Sequence, residues 1–351
     1  METLSFFQKR KYGVMIHQSE RIKLLVTLGE FLKSDSNEIN ETIEKSYQNN
    51  KWFTIENQLF ALRAIANQFL NEKILTQFTQ KYSPIKTKKN IGLIPAGNLP
   101  LVGFHDWMCI FLSGHSTQIK LSDKDPFWMP LIIQKLNSWD SNCKNYFYVV
   151  DNLKDFDAII ATGSDNSSRY FEYYFSKVPN IIRKNRNSIA VLTGNESVDD
   201  LEKLSKDVFT FFGLGCRNVS KIYVPKEYDF NQLLEVFHEN NSIVHQDKYK
   251  NNFDYNIVLF MMNKIKYLNN GCIILTENTS LSSRIATLNY EFYDNTESLK
   301  QEILENSDKI QCVVTDKNLG EIKTIPFGKS QQPDIDDFAD GIDTMEFLSK
   351  L

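Results

Sequence analysis

The chain has 351 residues, 42% of them hydrophobic and 24% charged, with a formal net charge of −4 at pH 7. That balance supports two domains or one large lobed one, and it argues against a nucleic-acid or polybasic membrane surface, because the cations are scattered and outnumbered. Five widely spaced cysteines without a C-x-x-C pair, and five histidines without an H-E-x-x-H or H-x-x-x-H pair, argue against a disulfide framework and a metal site.

Residues 1–90 read as a helical region, because "IKLLVTLGEFLK" and "NQLFALRAIANQFLNEKILTQFTQKY" carry apolar residues at three- and four-residue spacing. The first twenty residues lack the apolar core and cleavage site of a secretory signal. No apolar run approaches the roughly 20 residues that span a bilayer, so a cytoplasmic protein without a membrane span is expected.

From residue 91 the rhythm changes. "IGLIPA", "STQIKLS", "YFYVVD", "DAIIAT" and "NSIAVLTG" read as short buried strands. Between them, "LPLVGFHDWMCIFLSG", "FWMPLIIQKLNSW" and "GSDNSSRYFEYYF" read as helices. This alternation predicts βαβ units, a mainly parallel sheet over 91–192, and ligands at its carboxyl edge. "SVDDLEKLSKDVFTFFG" predicts a helix ending near Gly213. The strand "SKIYVP", the helix "NQLLEVFHENN" and the strand "GCIILTE" follow, and make a second α/β domain over 193–325. The tail, 326–351, reads as an acidic loop and an amphipathic helix.

Three turns carry candidate chemistry. In "FFGLGC", glycines precede Cys216, where a thiol in a tight backbone element can be exposed and activated. The other cysteines, Cys109, Cys143, Cys272 and Cys312, read as small buried hydrophobes. In "PAGNLP", Asn98 sits at a strand-to-helix turn; its amide suits an oxyanion, and a turn asparagine with an unusual backbone angle is the equal alternative. In "ATGSDNSS", Gly163 and Ser164 open a helix whose amides suit a phosphate, although no G-x-G-x-x-G or Walker A pattern is present. Lys120 ends the strand "STQIK". No G-x-S-x-G occurs, which argues against a serine esterase.

Taken in order, these blocks resemble the aldehyde dehydrogenase superfamily. "GNLPLVGFHDW", "FGLGCRNVSKIYVP" and "DFADGIDTMEFL" resemble more narrowly the acyl-CoA reductases related to LuxC, the fatty acid reductase subunit of bacterial luminescence. The likeness covers about residues 90–230 and the tail. It implies an α/β fold of aldehyde dehydrogenase type: a Rossmann-type NAD(P)-binding domain over 91–192, a smaller catalytic α/β domain over 193–325, and a tail, 326–351, that returns to the cofactor domain or an oligomer interface. The helical region, 1–90, is expected to pack on the cofactor domain.

The resemblance further implies Cys216 as nucleophile, Asn98 as oxyanion donor, Lys120 as the adenosine-ribose contact, and Gly163 and Ser164 as the pyrophosphate turn. Glu291, in "NYEFYD", is carried over as the nicotinamide-ribose carboxylate. Val191 stands where aldehyde-oxidising members have a water-activating glutamate, and a valine is no base. That departure favours reduction of an acyl-CoA to an aldehyde through a Cys216 thioester. NADPH is the expected cofactor; Asp123, where NAD-preferring relatives carry a carboxylate, makes NADH the alternative, unless Lys120 or Lys124 compensates its charge. The expected partners are an acyl-CoA substrate and further copies of the chain, with an acyl-transferring enzyme as a further candidate. Another activated acyl donor, or a catalytically idle scaffold in a multienzyme complex, are the competing readings. Glu196 as a displaced base, and His105 as the acid for departing CoA, are candidates by composition alone.

Overall fold

The computed structural model describes residues 15–163 and 165–351. The described residues form two compact units: those up to 184 with 334–351, and 185–333.

The first unit opens with four helices, α1 (Gln18–Lys33), α2 (Asn37–Asn49), α3 (Ile55–Gln68) and α4 (Glu72–Thr79). The apolar run over 57–82 is thus two helices rather than one. The break comes at Asn71, whose side chain accepts from the amides of Lys73 and Ile74 and starts a new helix there. Ser36 and Thr54 cap α2 and α3 in the same way.

Alternation follows: β1 (Asn90–Ile94), α5 (Phe104–Ser113), β2 (Ser116–Ile119), α6 (Trp128–Trp139), β3 (Phe147–Val149), β4 (Ala158–Thr162), α7 (Asp165–Phe175) and β5 (Asn180–Arg183). The strands form a five-stranded sheet in the order β3-β2-β1-β4-β5, every pairing parallel. Leu93 pairs with Ile119 on one side and Ile160 on the other, which fixes the register at the centre. Parallel strands covered on both faces need apolar residues throughout, and "IGLI" and "AIIA" supply them. Helix α5 is buried almost all round, from Trp107 to Leu112, and Gly114 stops it in a left-handed conformation (φ 97°).

The second unit contains β6 (Asn187–Val191), α8 (Val198–Phe209), β7 (Val219–Pro225), α9 (Asn231–His238), α10 (Asp247–Met262), β8 (Leu268–Asn269), β9 (Ile274–Glu277), β10 (Thr287–Tyr293), α11 (Thr296–Glu305), β11 (Ile310–Val314) and β12 (Thr324–Ile325). Its seven-stranded sheet has the order β12-β11-β6-β7-β10-β9-β8, parallel except for the β8–β9 pair. Alternate residues feed two cores: Ala190, Leu192, Ile222 and Val224 go to one face, Ile189, Val191 and Tyr223 to the other.

Two boundaries need correction: the second unit begins at 185 rather than 193 and runs to 333, so residues 326–333 belong to it and not to the tail. Strand β6, placed with the 91–192 domain from sequence, is hydrogen-bonded between β11 and β7 and belongs to the second unit. A buried strand is apolar in either sheet, so composition could not assign it.

The chain then returns to the first unit and ends in α12 (Thr344–Ser349). Arg183 and Asp106 fix this return. Arg183 donates to both Asp106 oxygens at 3.0 and 2.7 Å and to Thr344 Oγ1 at 2.9 Å, and Thr344 donates to Asp106 at 3.0 Å. Burial alone would raise the Asp106 carboxyl, but the Arg183 charge and hydrogen bonds outweigh it and hold it below its ordinary value. His115 adds a second tie: Nδ1 accepts from Lys89 N–H and Nε2 donates to Leu348 O, both at 3.0 Å. Among the described residues no helix is long and apolar enough to cross a membrane, and no cluster of three metal-ligating side chains occurs.

Candidate active-site elements

In the first unit, the connections from β1 and β4 depart to opposite sides of the sheet, so a crevice opens between their carboxyl ends. The described candidates from the sequence lie on loops at this edge. Asn98 is in the turn between β1 and α5, Lys120 directly follows β2, Asp123 lies in the same loop as Lys120, and Gly163 directly follows β4. Asn98, Lys120 and Asp123 are exposed. Ser164 lies outside the described residues.

Close packing sets these loops. A Cβ on Gly163 would lie 2.7 Å from Ser167 Cβ and 2.9 Å from Phe171 Cε2, so only glycine lets the turn sit this near α7. A Cβ on Gly97 would lie 2.2 Å from Ser122 Oγ and 2.6 Å from Ser122 Cβ. The loops after β1 and β2 are therefore in direct contact. Leu101, in a left-handed conformation (φ 59°), donates its N–H to Asp125 Oδ2 at 2.8 Å. Burial pushes the Asp125 carboxyl up to about 6, against the lowering pull of the Leu101 and Trp128 amides. Ser122 and Asp125 tie the loop carrying Asn98 to its neighbour, and sequence reading missed both; "SDKDP" carries only a generic turn signal.

His105 is half-buried on α5, where Nε2 bonds Ile335 O at 2.8 Å and the ring packs edge-on against Phe69 and Phe338. Burial holds its pKa below the ordinary value.

In the second unit, Cys216 is exposed, whereas Cys109, Cys143, Cys272 and Cys312 are buried. Burial raises the thiols of Cys109, Cys143 and Cys272, which suits inert hydrophobes. The helix expected to reach Gly213 stops at Phe209. Phe211 (φ 55°), Phe212 (φ 60°) and Gly213 (φ 73°) are then consecutive left-handed residues. For the two phenylalanines this costs about 1–2 kcal/mol each, so the surroundings must enforce it. Both rings are buried.

A β-turn follows, closed by Asn218 N–H donating to Gly215 O at 3.0 Å, with Cys216 and Arg217 at its two central positions. Ser188, fully buried on β6, donates to Cys216 O at 2.9 Å. The β6–β7 register shifts between Ser188 and Ile189, which is where that bond is made. Arg217 Nε donates to Ser330 O at 2.7 Å, and buried Asp207 accepts from the amides of Gly328 and Ser330 at 2.6 and 3.0 Å. The backbone around the thiol is thus tied to α8, to β6 and to the 328–330 loop.

Two carboxylates are otherwise engaged. Glu196 accepts from Thr193 N–H and Oγ1–H at 2.5 and 2.8 Å and from Gly194 N–H at 3.1 Å, closing the turn after β6. Val191, the last residue of β6, is buried. Glu291 lies within β10, opposite Tyr223, and pairs at 2.5 Å with Lys221, which is fully buried and also donates to Thr279 O at 2.8 Å. The motif "NYEFYD" gave no sign that a neighbouring strand holds a buried lysine against Glu291.

No family model matches the chain, and no curated protein matches it in sequence. Solved structures do match in fold. Aldehyde dehydrogenase 21 from Physcomitrella patens, in complex with the reaction product succinate, superposes with a TM-score of 0.69 at 12% identity, over 97% of this chain and 85% of that one. Indole-3-acetaldehyde dehydrogenase from P. syringae, in complex with NAD+, gives 0.64 at 11% identity over 88% and 74%. An NADP-dependent enzyme of E. coli gives 0.66 at 10% identity over 88% and 74%. The fold is that of the aldehyde dehydrogenases, as the α/β reading of the sequence anticipates: a Rossmann-like parallel sheet in one unit and a second α/β sheet in the other.

Proposed function

We propose that the protein is an NADPH-dependent reductase that accepts the acyl group of an acyl-CoA on Cys216 and releases it as the aldehyde. The observation that carries this reading is the contrast among the cysteines: four buried thiols and one exposed thiol, held at the tip of a hydrogen-bonded turn. Neighbours of the same fold include an NAD+ complex and an NADP-dependent enzyme. The carboxyl edge of the first sheet fits a dinucleotide, with Gly163 allowing the turn after β4 to pack closely on α7, and Lys120 and Asp123 exposed on the loop after β2. Gly163 and Lys120 would hold the pyrophosphate and the adenosine ribose. When bound, the nicotinamide supplies hydride.

In the proposed cycle Cys216 attacks the acyl carbonyl carbon as thiolate. The carbon–sulfur bond to CoA breaks, and CoA leaves as a thiolate that takes a proton from solvent. Asn98 donates to the oxyanion formed on the acyl oxygen. With the hydride and one proton the Cys216 thioester would become a thiohemiacetal, which collapses to aldehyde, the free Cys216 thiolate and the proton of its hydroxyl. The balance is acyl-CoA, NADPH and a proton giving aldehyde, NADP+ and CoA. Val191 offers no base to activate water, and Glu196 is occupied by its own turn, which supports transfer to hydride over hydrolysis. Glu291 has no part in this proposal, because its carboxylate neutralises Lys221.

Intact-mass spectrometry after incubation with a panel of acyl-CoAs and no reductant tests the reading. One acyl increment on the wild type and none on Cys216→Ala is expected, followed by aldehyde release on adding NADPH, with NADH as the comparison. An unmodified wild type that oxidises aldehydes with NADP+ or NAD+ would overturn it.

A further inference from the structure

The turn that carries Cys216 has an internal brace, and the brace is one side chain. Asn218 is buried, at 2% exposure, and its side-chain amide and its N–H are all hydrogen-bonded. Its amide NH2 donates to Asp207 O at 3.0 Å in the last turn of α8 and to Thr210 O at 2.8 Å just beyond it. Its Oδ1 accepts from Gly215 N–H at 2.9 Å, and its own N–H closes the turn on Gly215 O at 3.0 Å. One residue therefore spans the left-handed run at 211–213, joining its start at Thr210 to its end at Gly215.

We propose that Asn218 is the positioning residue for the Cys216 thiol, with Ser188 as its partner on β6. Asn218 fixes both ends of the strained segment, and Ser188 fixes the carbonyl of Cys216 itself. Between them the Cα–Cβ vector of Cys216 has one direction, while its side chain stays open to solvent. The proposal rests on the reading of Cys216 as a nucleophile, but its physical content is the placement of the thiol, which is measurable whatever the substrate proves to be.

The residue types fit the task. The amide group donates and accepts at once, as its bonds to the Asp207 and Thr210 carbonyls and to the Gly215 amide require together. Asparate would keep the acceptor and set a carboxylate against two carbonyl oxygens. Alanine would leave the carbonyls of Asp207 and Thr210 and the N–H of Gly215 without Asn218, and the phenylalanine pair would lose the bonds at both of its flanks.

The test uses the full chain and three variants, Asn218→Ala, Asn218→Asp and Ser188→Ala. Each is read by thermal melting, by the rate of Cys216 alkylation with iodoacetamide from pH 6 to 10, and by kcat and KM for the best acyl-CoA. The four remaining thiols are buried, so Cys216 dominates the alkylation signal in folded protein. For folded Asn218→Ala we expect kcat to fall by about 100-fold with KM nearly unchanged, as for a reacting group displaced by ~1 Å. The alkylation profile should change in rate and midpoint. Ser188→Ala keeps the α8 cap and should show the same changes at about 10-fold.

If Asn218→Ala and Asn218→Asp fail to fold, Ser188→Ala decides alone. Alkylation profiles that superpose on the wild type in folded variants would overturn the proposal, even where kcat falls. A wild type that is alkylated at Cys216 but never acylated by acyl-CoA would sink the proposed reaction and leave the positioning role standing on the alkylation result.

Discussion

Replacing Gly97 by alanine isolates the contact between the loops after β1 and β2. Gly97 does not have a positive φ, so alanine suits its backbone and the consequence is purely steric. The new Cβ would lie 2.2 Å from Ser122 Oγ and 2.6 Å from Ser122 Cβ, where ordinary contact begins at 3.4 Å. Turning the Ser122 hydroxyl away relieves the first clash. It cannot relieve the second, because that Cβ moves only with its backbone. One loop must therefore shift by about 1 Å, at a cost of about 1–3 kcal/mol for overpacking.

Where the loop after β1 takes up the shift it moves Asn98, the next residue in the chain and the oxyanion donor of the proposed function. A displacement of ~1 Å in a group acting on the transition state lowers the rate by about 100-fold. Single-turnover acylation of Cys216, quenched and read by mass, measures this, with urea unfolding as the control for folding. Ser122→Gly removes both clashing atoms, so the double variant should recover at least about 10-fold of the loss, a coupling of the size seen between touching residues. A Gly97→Ala protein that acylates at the wild-type rate would refute the reasoning. So would a double variant no faster than the single one, since the contact would then not be the cause.

Three further outcomes are expected. Asp106→Asn leaves the buried Arg183 guanidinium without its counter-charge and should cost about 3–5 kcal/mol in urea denaturation; a loss under ~1 kcal/mol would contradict the pairing. Burial lowers the His115 pKa, so the folded state resists a proton that the unfolded chain accepts. Its contribution to stability is complete above the unfolded value near 6.5 and declines as pH falls toward the lower folded value, with a slope of at most about 1.4 kcal/mol per pH unit. His115→Asn, which retains an acceptor for Lys89 N–H, should flatten the pH dependence of the melting temperature by that amount between pH 7 and 5, and curves that stay parallel would exclude the effect. Glu291→Gln uncovers the charge of buried Lys221 and should destabilise by roughly 2–4 kcal/mol while leaving the KM for NADPH unchanged; a KM raised more than tenfold would restore Glu291 as a cofactor ligand.

Much of the fold was legible in order along the chain. Strands such as "IGLI" and "AIIAT" announce themselves because a strand buried on both faces must be apolar throughout. The turns after them stand out because a parallel sheet brings its strand-to-helix loops to one edge. Cys216 stands out among five cysteines because two glycines in a tight turn lead into it and a polar pair follows, whereas Cys109, Cys272 and Cys312 adjoin apolar runs, and burial sets it apart from all four others. The break at Asn71 was legible in principle, since asparagine followed by an acidic residue is an N-cap signal; the apolar spacing continued through it and concealed the boundary.

Other features depend on contacts remote in sequence. Strand β6 is apolar enough for either sheet, and only its hydrogen bonds to β7 and β11 decide which one it joins. Glu291 reads as an accessible carboxylate until β7 places Lys221 against it. Gly97 requires Ser122, and the polar ties of Asn218 extend back along the chain to the end of α8.

The sequence by itself determined the local chemistry: which runs are helix or strand, where the chain turns, and which thiol has a backbone suited to exposure. These depend on side-chain periodicity and on conformational preference, both of which act over a few residues. Only the tertiary structure decided which carboxylates are spent on neighbours, which histidine is sealed from solvent, and which side chains hold the Cys216 turn. Those outcomes depend on burial and on pairing between distant segments, and a buried charge or a strained turn persists only where such partners meet it.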